Sequence, residues 1–247
     1  ALSLNVLKNG EIAATGGTSG VVYAVTNKLN SKESTRINHF AHVNYSNKNQ
    51  LIGKLLCING AGIMYKWLKT NTSATSYQQM NNLAEKIPIG SNGLVVIPFG
   101  NGSERMFNNK NIGTHFFNLN LNLHSDGHLY RASLEAIAFS FVYGIEIMKN
   151  DGTEINIIKA GNDNLFRSDI FSNTISALIN HDIEIYNTTG SVGAARASGL
   201  SNGDFDKFSD FLTQNDHVKT YKPIKDNQLY IKAYSNWKNE LKTLLNK

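Results

Sequence analysis

Cysteine is almost missing from this sequence. A single residue, Cys57, excludes a disulfide framework and a cysteine-rich metal site and points to a reducing compartment, the cytoplasm. The seven histidines are dispersed, with no H-E-x-x-H and no spacing that suits zinc, so no metal-ligating residue is assigned. Long apolar runs are also lacking: the longest, such as Leu134 to Ile147, carries Glu135, Tyr143 and Glu146 and falls short of a membrane span. No segment reads as a signal peptide. Lys and Arg outnumber Asp and Glu, 24 to 19, but they are scattered. The isoelectric point near 9.1 therefore describes no nucleic-acid footprint and suits an anionic small ligand equally well. Neither the Walker pattern nor the Rossmann G-x-G-x-x-G occurs, so the familiar phosphate loops are excluded. No repeat, low-complexity tract or linker divides the chain. It opens at Ala1 without methionine, within what reads as a structured segment, and is expected to belong to a longer protein.

What is present is enough apolar sequence, 41% of 247 residues against 17% charged, to bury one large core. Glu11 to Thr15 and Val21 to Thr26 read as strands joined into a hairpin by Gly16 to Gly20. Strand patterns follow at His39 to Tyr45 and Leu51 to Ile58, the second running through Asn59-Gly60-Ala61-Gly62 into a helical spacing of Ile63, Met64, Trp67 and Leu68. A helix is predicted over Tyr77 to Lys86, and a buried strand over Leu94 to Phe99. The longest predicted helix covers Leu129 to Met148, with Leu134, Ile137, Ala138, Phe141, Ile145 and Met148 on one stripe. Ile155 to Ile158 and Ile183 to Tyr186 read as short strands, each leading into a helix, and the tail as polar loops with helices at Asp204 to Thr213 and Gln228 to Leu245. Strand, glycine-rich turn and helix recur at 52 to 68, 155 to 179 and 183 to 200. That is an α/β pattern with ligands expected at the carboxyl ends of strands, and the opening hairpin makes the sheet mixed.

Gly16-Gly17-Thr18-Ser19-Gly20 offers unhindered amides and two hydroxyls that can cradle phosphate oxygens, although a ligand-free hairpin turn is the commoner meaning of such a run. Asn59 to Gly62 would leave amides at a positive helix end, where phosphate is stabilised, or would serve close strand-to-helix packing. Ala160 to Asn164 would let a flat base lie against backbone, or is a plain turn. Gly190 to Ala195 opens a helix with a small face suited to close contact. Glu104-Arg105 reads as a surface ion pair in preference to a pocket rim, and Cys57 as inert core.

In order, these segments resemble the C-terminal domain of the FGGY carbohydrate kinases, and within that family the xylulokinases most closely. The resemblance spans essentially the whole chain. Its pieces are Gly17-Thr18-Ser19-Gly20, similar to the family's GTSG hairpin; Gly60 to Leu68; and Ile97 to Arg105, similar to P-Y-L-x-G-E-R. To these add Gly113 to Asn118, Tyr130 to Glu135, and Gly190 to Ala195, similar to G-A-L-G-A-A. The resemblance implies an actin-like ATPase domain of the ribonuclease H-like type, with a mixed central sheet flanked by helices. Residues 1–247 would be a single nucleotide-binding domain without the N-terminal sugar-binding domain. It implies ATP or ADP as ligand, Mg2+, and transfer of the γ-phosphoryl group to a sugar bound by the missing lobe, D-xylulose first, with glycerol, gluconate or rhamnulose as alternatives. A non-catalytic actin-like nucleotide-binding module is the other reading, and a homodimer stays open. Thr18, with Gly17 and Ser19, would meet the terminal phosphates. Gly62 and Lys66 would flank the nucleotide, and Gly161, Asn162 and Asn164 would line adenine and ribose. The family's G-G-G-A-x-S stands here as Lys159 to Asn164. Its general base, an aspartate in a G-x-D-x segment upstream of the hairpin, has no counterpart in Ala1 to Gly16, which contains no Asp.

Overall fold

Alternation of apolar and small residues places two strands back to back at the start of the chain. β1 (Glu11–Gly16) and β2 (Gly20–Thr26) pair antiparallel, closing at Gly16 opposite Gly20. β3 (Asn38–Ala41) and β4 (Ile52–Ile58) extend the sheet on the β2 side. On the other side β7 (Ile157–Gly161) and β8 (Ile183–Tyr186) run parallel to β1, and β9 (His217–Tyr221) closes the edge antiparallel. The order is β3-β4-β2-β1-β7-β8-β9, a mixed seven-stranded sheet. The computed structural model describes residues 1–204 and 206–246.

The even-numbered residues of the hairpin and β4, including Ile12, Ala14, Val22, Ala24, Leu56 and Ile58, face the main core, while Ala13 and Val25 join Leu4, Val6 and Leu51 in a smaller cluster beneath the N-terminal segment. α3 (Asp126–Asn150) lies against the main face. It is buried on nearly every side, so the expected single stripe is exceeded: Ala132, Ser133, Ala136, Phe139 and Ser140 are buried too. The cause is that α3 is enclosed by α1 (Gly62–Asn71), α2 (Tyr77–Glu85) and α4 (Asp169–Ile179) as well as by the sheet.

β5 (Val95–Phe99), the predicted buried strand, pairs with β6 (Gly113–Phe117), which the sequence reading lacked, in a separate two-stranded sheet. Pro98 has no N–H to donate, which suits this short ribbon better than the centre of a large sheet. α6 (Gln228–Leu245) covers β5, and Trp237 anchors it by donating from Nε1 to the Val96 carbonyl at 3.0 Å.

Four expectations are corrected. The strand predicted to Tyr45 ends at Ala41. The helix predicted over 204 to 213 is a 3-10 turn at Phe208–Phe211, following Gly203, whose φ of 85° ends α5 (Gly190–Asn202); Phe205 in that stretch lies outside the described residues. The tail, read as loop before α6, contains β9, whose exposed polar residues and one buried Tyr221 carry no legible alternation. Cys57 is not core: it is half-buried on the face of β4 opposite Leu56 and Ile58, and burial pushes its thiol up.

Candidate functional site

A cavity of about 410 Å³ opens at the carboxyl end of β1, between the hairpin, the helix that follows β4 and the turn that follows β7. Gly16, Gly17 and Thr18 supply one wall from the hairpin; Gly62, Tyr65 and Lys66 supply another from the first turns of α1. α2 adds Tyr77, Gln78 and Asn81, Leu134 of α3 forms the floor, and the 3-10 turn Asn164–Arg167 with Ser168 closes the far side. Lys66 and Arg167 are its cations, and among the described residues no carboxylate lines it. The Arg167 Nε donates to the Asn162 carbonyl at 3.2 Å.

Of the residues singled out in the sequence, Gly17, Thr18, Gly62, Lys66 and Asn164 therefore meet at one cavity. Ser19, exposed at the hairpin tip, lies outside its lining, and so do the half-buried Gly161 and Asn162 at the end of β7. Gly161 has a different task. A Cβ there would stand 2.8 Å from the Thr188 carbonyl, so its small size serves the approach of the segment after β8. Asn162 is likewise tied down, its amide donating to the Tyr186 carbonyl at 2.8 Å. Asn164 adopts a φ of 45°, a left-handed conformation that asparagine tolerates, and this turns the chain toward the cavity.

The helix-end amides expected to meet phosphate are already engaged. The Gly62 amide donates to the Gly17 carbonyl and that of Ile63 to the Thr18 carbonyl, both at 3.0 Å, so the hairpin tip caps α1 in place of a side chain. Gly62 permits this, since a Cβ would fall 2.3 Å from the Gly17 oxygen. Upstream, the Asn59 and Gly60 amides donate to Glu104 Oε2 and Oε1 at 3.0 and 2.5 Å. The expectation of a surface Glu104–Arg105 pair is corrected accordingly. Glu104 is fully buried beneath the turn into α1, and Arg105 instead donates from Nε to the Thr35 carbonyl at 2.7 Å. Burial outweighs the two amide bonds and pushes the Glu104 carboxyl up to about 6. The amides of Thr18 and Ser19 carry no hydrogen bond among the described residues, and of the two Thr18 lines the cleft.

Tyr65, Tyr77, Gln78, Asn81 and Arg167 escaped the sequence reading. The spacing Tyr77, Gln78, Asn81 along one helix was the available signal, but nothing local shows which face of α2 meets the hairpin. Among the described residues no three His, Cys, Asp or Glu gather into a group able to hold a metal ion, and no helix is long and apolar enough to cross a membrane.

A mixed sheet with this order, flanked by helices and opening on a cleft at the strand ends, is the actin-like ATPase fold shared by FGGY sugar kinases. Residues 12–200 match the family described as FGGY family of carbohydrate kinases, C-terminal domain, and the chain belongs to that family. A gluconokinase of Bacillus subtilis (strain 168) is 26% identical over 242 residues, covering 91% of this chain and 45% of its own length. A xylulose kinase of Staphylococcus xylosus is 28% identical over 241 residues, 92% of this chain and 46% of that protein. The crystal structure of xylulose kinase from Rhodospirillum rubrum superposes with a TM-score of 0.83 at 20% identity, over 100% of this chain and 50% of the other. That of Plasmodium falciparum glycerol kinase with ADP gives 0.84 at 18%, over 99% and 49%. The chain thus spans about half the length of the relatives it matches.

Proposed function

We propose that this chain is the nucleotide-binding lobe of a kinase that transfers the γ-phosphoryl group of ATP to a hydroxyl of xylulose. The observation that carries the reading is the cleft itself: hairpin tip, α1 start and Asn164 turn converge on one cavity with two cations and no carboxylate among the described residues, a setting for a polyanion. Phosphoryl transfer is chiefly positioning and charge neutralisation. Here the Thr18 hydroxyl and the Thr18 and Ser19 amides donate to the terminal phosphate oxygens, Lys66 offsets their charge, and Gly62 keeps the hairpin close. Asn164 and Arg167 hold the opposite side, while Gly161 and Asn162 shape the turn behind them. The base that takes the sugar's proton lies outside residues 1–247.

Magnesium usually combines phosphate oxygens with one or two carboxylates. The described cleft residues offer no carboxylate, so this chain does not fit a protein cage for the ion and no step is assigned to it. The B. subtilis gluconokinase, matched over 91% of this chain, favours gluconate as the second reading of the sugar.

The test is calorimetric titration of the chain with ATP and ADP, beside a coupled assay with D-xylulose and D-gluconate. ATP should bind, and the chain alone should phosphorylate neither sugar. Thr18→Val should weaken ATP binding by roughly ten- to hundredfold, the worth of one hydrogen bond to a charged group, with the melting temperature unchanged because shape is kept. Wild-type affinity in that variant removes the hairpin from the site.

A further inference from the structure

Asparagine followed by glycine is the dipeptide whose backbone most readily attacks its own side chain, because no Cβ on the second residue hinders the approach of its nitrogen. Five such pairs occur in the chain: Asn9-Gly10, Asn59-Gly60, Asn92-Gly93, Asn101-Gly102 and Asn202-Gly203. In four of them the glycine amide is already engaged. Gly10 donates to the Val25 carbonyl at 2.9 Å, Gly60 to Glu104 Oε1, Gly93 to the Gly90 carbonyl at 2.8 Å, and Gly203 to the carbonyls that end α5. Gly102 differs: its amide carries no hydrogen bond among the described residues.

The turn that holds this pair, between β5 and the 3-10 turn at Arg105–Phe107, is open. Gly102 and Ser103 are exposed, Gly102 has a φ of 88°, and nothing stands within 4 Å of the place a Cβ would take. Among the described residues the Asn101 side chain makes one hydrogen bond, from Nδ2 to the Asn59 carbonyl at 3.2 Å. That contact fixes which way the carboxamide points, since a carbonyl oxygen only accepts.

The structure assigns Asn101-Gly102 as the site where the folded chain deamidates spontaneously. The Gly102 nitrogen loses its proton and bonds to Asn101 Cγ, closing a five-membered imide as the Cγ–Nδ2 bond breaks and ammonia leaves. Water then opens the ring: cleavage at Cγ gives aspartate, and cleavage at the main-chain carbonyl gives isoaspartate, with the chain rerouted through Cγ. In sum, one carboxamide and one water become one carboxylate and one ammonium ion, with no oxidant or reductant. The consequence falls on the turn into α1. A carboxylate replaces the donor that met the Asn59 carbonyl, so acceptor faces acceptor, and a second negative charge enters the segment of buried Glu104, which holds the Asn59 and Gly60 amides.

The experiment incubates the folded chain at neutral pH beside a sample in urea. The five Asn-Gly peptides are followed by mass spectrometry, and isoaspartate by enzymatic methylation. In the folded chain the Asn101 peptide should convert first, ahead of each of the others by roughly two- to tenfold, the cost of opening one backbone hydrogen bond. In urea the five rates should converge. Asn101→Gln, whose longer side chain needs a slower six-membered closure, should abolish the early conversion and leave the other four peptides unchanged. Asn101→Asp should melt below wild type by roughly 2 to 4 °C. Another peptide leading in the folded chain overturns the assignment, and Asn101 leading equally in urea overturns its structural cause. An Asn101→Asp melt equal to that of wild type overturns the coupling to the α1 turn.

Discussion

Glu104 is the residue whose setting departs furthest from what its sequence neighbours suggest. Its carboxylate, fully buried, receives the Asn59 and Gly60 amides that would otherwise face the cleft. Its folded value of about 6 lies above the unfolded 4.5, so the folded state binds the proton more tightly and this group's stabilisation is full below pH 4.5 and lost as pH rises through 6. The loss is on the order of 2 kcal/mol. Glu104→Gln removes that titration while placing an N–H against a backbone N–H, so it should be destabilising throughout. The gap in melting temperature between wild type and variant should narrow from pH 4.5 to 7. A gap independent of pH means that Glu104 does not titrate in this range.

At the scale of elements, a buried cluster around Asp151 fastens both β4 and the loop after β2 to the end of α3. Lys54 Nζ lies 2.7 Å from Asp151 Oδ2, with neither side chain exposed, and also donates to the Asp151 carbonyl at 3.0 Å. Asp151 accepts in addition from the Ser31 hydroxyl at 2.7 Å and the Lys32 amide at 2.6 Å. Burial alone would raise its carboxyl, yet the hydrogen bonds from Lys54, Ser31 and Lys32 hold it below the ordinary carboxylate range. Its contribution to stability is therefore present at neutral pH and lost as pH falls through its folded value. Asp151→Asn strands a buried ammonium and should cost about 3 to 5 kcal/mol. Lys54→Met should cost less, because Ser31 and Lys32 still serve the carboxylate, and the double variant should recover part of the Asp151→Asn loss. Urea unfolding of the four proteins checks this; strictly additive losses would show that the pair does not couple.

At the scale of the molecule, one contiguous cluster links the seven-stranded sheet, α3, α4, the β5–β6 ribbon and α6. Trp237 is buried at the ribbon, whereas Trp67 is 52% exposed on α1. With Trp67→Phe the remaining indole reports the ribbon alone. Because no apolar boundary separates ribbon from sheet, its fluorescence transition in urea should coincide with loss of far-ultraviolet circular dichroism. An earlier fluorescence transition would make the ribbon and α6 a separate unit.

Most of this architecture was legible in the sequence, for reasons of local chemistry. The hairpin, β4, α2, β8 and α6 declare themselves by alternation, helical spacing and glycine turns. The convergence of Gly17, Thr18, Gly62, Lys66 and Asn164 followed from motif order. β6 and β9 were hidden because one belongs to a ribbon closed by a proline strand and the other is a polar edge, where burial imposes little pattern. What only tertiary structure decided is which polar groups consume one another. The amides before α1 go to Glu104 and the hairpin carbonyls, Gly161 goes to Thr188, and a face of α2 is left open to the cleft. Local sequence determines that a backbone amide needs an acceptor; only the packing of distant segments determines whether that acceptor is the protein or a ligand.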